Sequence, residues 1–328
     1  MSKKKVGVLR GGPSAEYEVS LKTGKSVIDN LSARADLADK YEVLDIFIDK
    51  ECVWHYQGAP IKPEKLFKKV DVVFNALHGA YGEDGTVQKL LDYFNMPYTG
   101  STALASAVGM NKVLSKKVFK NYNLKTPLHT TVSKKDDLLT EITKLFKTFP
   151  MPAVVKPVNG GSSVGTAIAR TMTDLETAVA DALKYSNQAL VEEFIAGKEA
   201  TCGVVDNFRG EEVYSLLPVE IQKPADSTFF DFHAKYSGQS LEICPGNFTA
   251  DEKKIIQDMA REAHKALGLR HYSRSDFIIH PRRGIYILET NTLPGLTGES
   301  LLPKSLKAVG CSLPDFLDHL LKLALNEK

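Results

Sequence analysis

Short apolar runs alternate with amphipathic segments through the first hundred residues. The runs are Val6-Gly-Val-Leu9, Val43-Leu-Asp-Ile-Phe-Ile48 and Val70-Asp-Val-Val-Phe-Asn-Ala-Leu77. Strands separated by helical patterns predict βαβ units on a parallel sheet. After the third run Val87, Leu90, Leu91 and Phe94 recur at helical spacing. Met96-Pro-Tyr-Thr-Gly100 closes the unit, so an N-terminal α/β domain is expected over residues 1–100.

The pattern then changes. Leu104 to Tyr122 reads as helical. From about Pro152, strands surround a glycine-rich loop, Ala153-Val-Val-Lys-Pro-Val-Asn-Gly-Gly-Ser-Ser-Val-Gly165, with apolar sequence resuming from Val164 to Ala169. That predicts a hairpin flap in a second, α+β region, divided here into 101–191 and 192–328. Residues 222–247 show no period and are long for a connection, which predicts a functional lid. Thr249 with Glu252 forms a capping box, after which Ile255, Ile256, Met259, Ala263 and Leu267 trace a helix ended by Gly268. Ser312 and Asp315 precede a last helix carrying Leu317, Leu320 and Leu321.

Composition narrows the class. With 328 residues, 43% hydrophobic and 25% charged, the chain is an ordinary globular protein large enough for two or three cores. Its net charge of +2 offers no basic field for nucleic acid, so small-molecule ligands are favoured. No apolar stretch is long enough to span a membrane, and Val6–Leu9 is too short for a signal peptide. Cys52, Cys202, Cys244 and Cys311 match no zinc or CxxC spacing, as expected of reduced cytoplasmic thiols.

Three glycine-bearing segments fall where ligands of such folds bind. Gly11-Gly-Pro-Ser-Ala-Glu16 follows the first strand and opens a helix, without the GxGxxG fingerprint of dinucleotide sites. His78-Gly-Ala-Tyr-Gly-Glu-Asp-Gly85 occupies the same edge after the third strand. Gly160-Gly-Ser-Ser-Val-Gly165 could cradle phosphate through backbone N–H groups, although Thr166 stands where a P-loop has lysine. Lys112 and Lys156 sit in apolar contexts nearby and strengthen a phosphate reading.

The most specific pattern is Ser273-Arg-Ser-Asp-Phe-Ile-Ile-His280, Pro-Arg-Arg-Gly284, then Ile285-Tyr-Ile-Leu-Glu-Thr-Asn291, read as two strands and a four-residue turn. If His280 faces Ile285, counting back sets Asp276 opposite Glu289 and Arg274 opposite Asn291, all four on one face. Opposed carboxylates destabilise a hairpin unless a cation neutralises them. Magnesium or manganese, bridged to phosphate, is the expected partner, and Asn291 offers a further oxygen.

Taken in order, GGPSAE, LHGAYGEDG, VVKP, GGSSVG, VEEFIAGKE, KY, RSD and ETNTLPGLT resemble the D-alanine:D-alanine ligase family of the ATP-grasp superfamily over nearly the whole chain. The resemblance implies a three-domain ATP-grasp architecture, with an N-terminal Rossmann-like domain and ATP held between the other two. It implies two-step chemistry: a D-alanine carboxylate takes the γ-phosphate, and the amine of a second D-alanine displaces phosphate. By that comparison Lys112, Lys156, Ser162, Ser163 and Lys235 look like phosphate contacts. Glu192, Glu193, Ile195 and Glu199 look like the adenine and ribose side. Asp276, Glu289 and Asn291 resemble ligands of two magnesium ions. Glu16 and His78 resemble the first-substrate site, with Ser162 and Tyr236 as hydrogen-bonding partners. Arg274 and the Gly295 N–H resemble oxyanion donors, and Ser300 and Leu301 resemble contacts to the second carboxylate. Lys235-Tyr236 favours D-alanine as second substrate; His233, close by in sequence, keeps D-lactate as an alternative, and another ATP-grasp carboxylate-amine ligation is a separate one. A homodimer is expected from the family. Asp276→Asn and Glu289→Gln should each lose divalent-dependent activity in a metal titration; unchanged metal dependence in both would refute the pairing.

Overall fold

The computed structural model describes residues 2–161, 164–222 and 241–326. Within them the chain builds three sheets. The first is five-stranded, in the order β4-β3-β2-β1-β5, from β1 (Lys4–Gly11), β2 (Tyr41–Ile48), β3 (Trp54–Tyr56), β4 (Ala59–Pro60) and β5 (Val72–Asn75). β1 runs parallel to both β2 and β5, as the βαβ pattern predicts. β3 and β4 add an antiparallel edge that the periodicity did not announce.

β1 is central and buried on both faces, so it reads as a continuous apolar run. On one side Leu9, Ile46, Ile48, Val73 and Leu77 pack with Val87 and Leu91 of the helix Thr86–Tyr93. On the other, Val6, Val8, Val72 and Phe74 meet Val27 and Leu31 of the helix Tyr17–Ala33. That second core continues into the far end of the chain, through Leu293, Leu302, Phe316, Leu317 and Leu320. Phe316, on the helix Leu313–Asn326, is fully buried and meets Tyr272 edge-on at 5.5 Å. Asp318 of the same helix accepts a hydrogen bond from the Tyr41 hydroxyl at 3.0 Å.

The second sheet is β6 (His129–Ser133), β9 (Gln188–Glu193), β7 (Ala153–Pro157) and β8 (Ala167–Ala169), in that spatial order and antiparallel throughout. Helices Leu138–Thr148 and Met172–Tyr185 cover one face. β7 and β8 flank the glycine loop as a hairpin, with the returning strand starting at Ala167 and not at Val164. The third sheet runs β13-β12-β10-β14-β15, with β11 also pairing β10. Its strands are β10 (Lys198–Phe208), β11 (Glu211–Ser215), β12 (Val219–Gln222), β13 (Leu241–Ile243), β14 (Tyr272–His280) and β15 (Gly284–Asn291). The helix Ala250–Ala266 covers it, opened by the Thr249–Glu252 capping box that the sequence indicates.

Two expectations change. The helical stretch expected over Leu104–Tyr122 is two helices, Ala103–Met110 and Lys112–Asn121. Asn111 breaks them because its extended backbone lets its side-chain oxygen accept the N–H groups of Val113 and Leu114, at 3.1 and 3.0 Å. The β14–β15 turn also differs. His280 pairs with Gly284, not Ile285, because Gly284 adopts the left-handed φ of +81° that closes a three-residue loop.

In that register Asp276 would face Leu288. The ladder instead shifts by one residue between Asp276 and Phe277, and the observed partners are Asp276 with Glu289 and Arg274 with Asn291. The bulge thus restores the pairing that the sequence predicts from a turn misread by one residue. Ile285 and Ile287 point into the core under the helix, and strict alternation would send Glu289 there as well. With Leu288 as the extra residue, Glu289 turns to the other face.

All four cysteines are free thiols. Among the described residues no helix is long and apolar enough to cross a membrane. Since Phe316 joins the N-terminal sheet to the C-terminal one, Phe316→Ala should cost about 3–5 kcal/mol of stability. Denaturant unfolding checks this, and an unchanged midpoint would refute a shared core.

Candidate active site

The three sheets meet at a cleft of about 1280 Å³. Glu16, His78, Lys112, Lys156, Glu199, Arg274, Asp276, Glu289, Asn291, Gly295, Ser300 and Leu301 all line it, so the structure gathers twelve of the residues singled out from sequence. Glu192, Glu193 and Ile195 do not line it. Ser162, Ser163, His233, Lys235 and Tyr236, with most of the expected lid, lie outside the described residues.

The N-terminal sheet supplies one corner. Gly11 and Gly12 take φ near +93°, and a Cβ on Gly11 would lie 2.2 Å from the Ile48 carbonyl. Only glycine lets β1 turn here so sharply that Glu16 heads the helix Tyr17–Ala33. Ser14 Oγ donates to the His78 carbonyl at 2.6 Å and accepts the Glu16 N–H at 3.1 Å, pinning this turn to the neighbouring loop. The His78 ring is buried and held at both nitrogens, by Thr23 Oγ1 at 2.9 Å and Glu83 Oε1 at 3.3 Å. The Glu16 carboxylate lies between two glycines: a Cβ on either Gly79 or Gly161 would come within 2.8 Å of its Oε2. The Glu16 corner and the glycine-rich loop therefore lie against each other.

The C-terminal sheet supplies a second corner. Arg274 grips Asp276 with two bonds, Nε to Oδ1 at 3.0 Å and Nη2 to Oδ2 at 3.1 Å. Thr201 Oγ1 donates to Asp276 Oδ1 at 2.7 Å from the adjoining β10, and Asn291 Nδ2 to Oδ2 at 3.0 Å. Lys112 Nζ stands 3.7 Å from Glu289 Oε2 and donates to the Gly160 carbonyl at 2.6 Å. Among the described residues, no three His, Cys, Asp or Glu side chains gather closely enough to hold a metal by themselves. Asp276, Glu289 and Asn291 still fit a hard divalent ion of the kind that takes one or two carboxylates from protein and the rest from phosphate and water. Rotation of the Asn291 amide would exchange its nitrogen for its oxygen.

Behind the cleft lies a buried charge cluster. Glu192 is ion-paired on both oxygens, to Lys116 Nζ at 2.5 Å and Lys156 Nζ at 2.7 Å. Burial alone would raise the Glu192 pKa, but the two lysines outweigh it and hold the carboxyl at about 2. For Lys116 burial prevails and lowers the pKa, whereas Glu192 and Glu289 overcome burial at Lys156 and raise it. Glu193, the next residue, faces away: Arg283 holds both its oxygens and the Leu128 N–H donates to Oε1. Ile195 packs with Ile278, Tyr286 and Leu288 in a small apolar cluster.

Sequence reasoning passed over Lys116, Thr201, Thr23 and Glu83. Lys116 alone carried a usable signal, one helical turn after Lys112 on the same face. Also lining the cleft, Ser300 heads the helix Leu301–Ala308, and its Oγ meets Thr297 Oγ1 at 2.8 Å and accepts the Thr297 N–H at 3.1 Å. A Cβ on Gly295 would lie 2.9 Å from that Oγ, so the Gly295 backbone approaches the helix start closely.

Replacing Glu192 would leave two lysines without their shared counter-charge. Glu192→Gln should therefore cost about 3–5 kcal/mol near neutral pH. The folded pKa lies below the ordinary 4.5, so this contribution is complete above 4.5 and is lost as pH falls through about 2. Thermal melts of both proteins from pH 6 to pH 2 check it; a gap that stays constant or widens with acid would refute it.

Known proteins give the same picture. Residues 5–66 and 56–101 match the family model described as the D-ala D-ala ligase N-terminus, and residues 118–322 the D-ala D-ala ligase C-terminus. D-alanine–D-alanine ligases of Clostridium beijerinckii and Desulforamulus reducens are each 38% identical, over 98% of this chain and 99% of theirs. Among solved structures, the VanG D-Ala:D-Ser ligase of Enterococcus faecalis superposes with a TM-score of 0.84 at 29% identity, over 98% of this chain and all of that one. The D-alanine–D-alanine ligase of Coxiella burnetii gives 0.83 at 29% identity, over 99% of this chain and 95% of its own. Sequence, fold and cleft agree, and the chain belongs to the D-alanine–D-alanine ligase family of ATP-dependent ligases.

Proposed function

We propose that this chain joins two molecules of D-alanine to D-alanyl-D-alanine at the expense of ATP, releasing ADP and phosphate, in the supply of peptidoglycan precursors. The supporting observation is the single cleft that brings Glu16 from one sheet, Lys156 and the glycine loop from another, and Arg274, Asp276 and Glu289 from the third.

On this reading the Glu16 carboxylate, at its helix start beside His78, holds the ammonium of the first D-alanine. Lys112 and Lys156, with Ser162, Ser163 and Lys235, hold the phosphates. Glu199 and Ile195 belong to the nucleoside side. Glu192 and Glu193 spend their carboxylates on lysine and arginine, so their contribution to adenine runs through the backbone. Two magnesium or manganese ions at Asp276, Glu289 and Asn291 supply neutralisation of phosphate charge when bound. Arg274 and the Gly295 N–H stabilise negative charge as the acyl phosphate forms and is displaced. Ser300 and Leu301, at a helix N-terminus whose first N–H groups lack intrahelical partners, suit the carboxylate of the second D-alanine. Tyr236 completes the first site with Ser162. A cytoplasmic homodimer belongs to the same reading; a monomer in sedimentation equilibrium at micromolar concentration would count against the dimer.

The likeness to a D-Ala:D-Ser ligase favours one alternative worth separating, a different second substrate. Purified protein with ATP, magnesium, D-alanine and equal D-serine and D-lactate should yield phosphate and mainly D-alanyl-D-alanine by mass spectrometry. A mainly mixed dipeptide or depsipeptide would overturn the second-substrate assignment, and no product would overturn the reaction. In the same assay Arg274→Ala should lower kcat by about 10²–10³-fold with a smaller effect on KM, as loss of an oxyanion donor does. A change confined to KM would refute that role.

A further inference from the structure

Lys116 is buried to 1% exposure, yet it does not line the cleft. Its ammonium meets three segments: it is ion-paired with Glu192 Oε1 on β9 at 2.5 Å and donates to Thr126 Oγ1 at 2.7 Å and to the Leu288 carbonyl on β15 at 3.2 Å. Burying a charge this completely is costly unless it is paired and hydrogen-bonded. These partners explain how Lys116 is tolerated, and the charge arithmetic points to what it does.

Glu192 has one negative charge and two lysine partners, one on each oxygen. The cluster of Lys116, Lys156 and Glu192 therefore carries a net charge of +1. Only Lys156, at 12% exposure, reaches the cleft. Without Lys116, Glu192 would neutralise Lys156 one to one, and the cluster would present no net charge to an anion. With Lys116, half of the Glu192 carboxylate is engaged elsewhere and the surplus charge appears at the residue that lines the cleft.

We infer that Lys116 is a positioning residue that neutralises Glu192 from behind and so reserves the charge of Lys156 for the phosphates of the nucleotide. The inference rests on the nucleotide reading of the cleft. It differs from a packing role in one consequence: removing Lys116 and the Glu192 charge together should restore the surplus that removing Lys116 alone destroys.

Calorimetric titration of ATP with magnesium, in the absence of D-alanine, tests this directly. Lys116→Met should bind ATP about tenfold more weakly, as expected when one unit charge near a phosphate site is lost. Lys116→Gln, which keeps a donor for the Leu288 carbonyl, should be weakened to the same extent and supplies the measurement if the methionine variant does not fold. The double variant Lys116→Met with Glu192→Gln should return to within about threefold of the wild type. Wild-type affinity in both single variants overturns the inference. So does a cooperatively folded double variant that binds no better than Lys116→Met, which would leave Lys116 with a packing role only. A wild-type protein that fails to bind ATP at all overturns the nucleotide reading first, and this inference with it.

Discussion

Two carboxylates that face each other across an antiparallel ladder repel, and a strand will present such a pair only where its backbone is committed to doing so. Here the commitment is the bulge at Leu288. It turns Glu289 out of the core beneath the helix Ala250–Ala266 and into the cleft opposite Asp276. The rest of the cleft is arranged around that pair. Arg274, Thr201 and Asn291 converge on Asp276, Lys112 approaches Glu289, and Lys116 binds the carbonyl of the bulge residue itself. A defect in the ladder thus serves as the fixed point of the site, in keeping with the frequent occurrence of bulges beside functional residues.

The two kinds of sheet divide the work. The N-terminal sheet brings cleft-lining groups to the carboxyl ends of its parallel strands, where Glu16 and His78 lie on loops after β1 and β5. The antiparallel sheets present side chains along strand faces, so Lys156, Glu199, Arg274 and Asp276 come from strand interiors. Loop-borne groups can adapt to a small substrate. Strand-borne groups hold the charges whose separation matters most, because each is braced by a neighbouring strand.

Much of this was legible in the chain. The three apolar runs gave β1, β2 and β5 because a central parallel strand is buried on both faces. The Thr249–Glu252 cap was readable because it is local. The Asp276–Glu289 pairing was reached through two offsetting departures: the turn is one residue shorter than expected, and the bulge is one residue longer. Neither is visible in periodicity, since a bulge costs no change of residue type. The break at Asn111 was missed because apolar residues recur through it. The pairing of Glu192 with Lys116 was not legible, because Lys116 approaches from a different segment of the chain. Residues whose role depends on non-local charge partners leave little trace in spacing alone.

The core that joins the two ends of the chain has a bearing on how the protein is made. β1 buries Val6 and Val8 in a core that includes Leu302, Phe316 and Leu320. Those partners are synthesised roughly three hundred residues later. The strands of this sheet can pair early, and the helix Tyr17–Ala33 covers part of this face, but the cover is complete only once the helix Leu313–Asn326 has emerged. Domains commonly fold in order of synthesis. In this chain a region made early is completed by one made much later, so part of an apolar face of the nascent N-terminal sheet waits open in between.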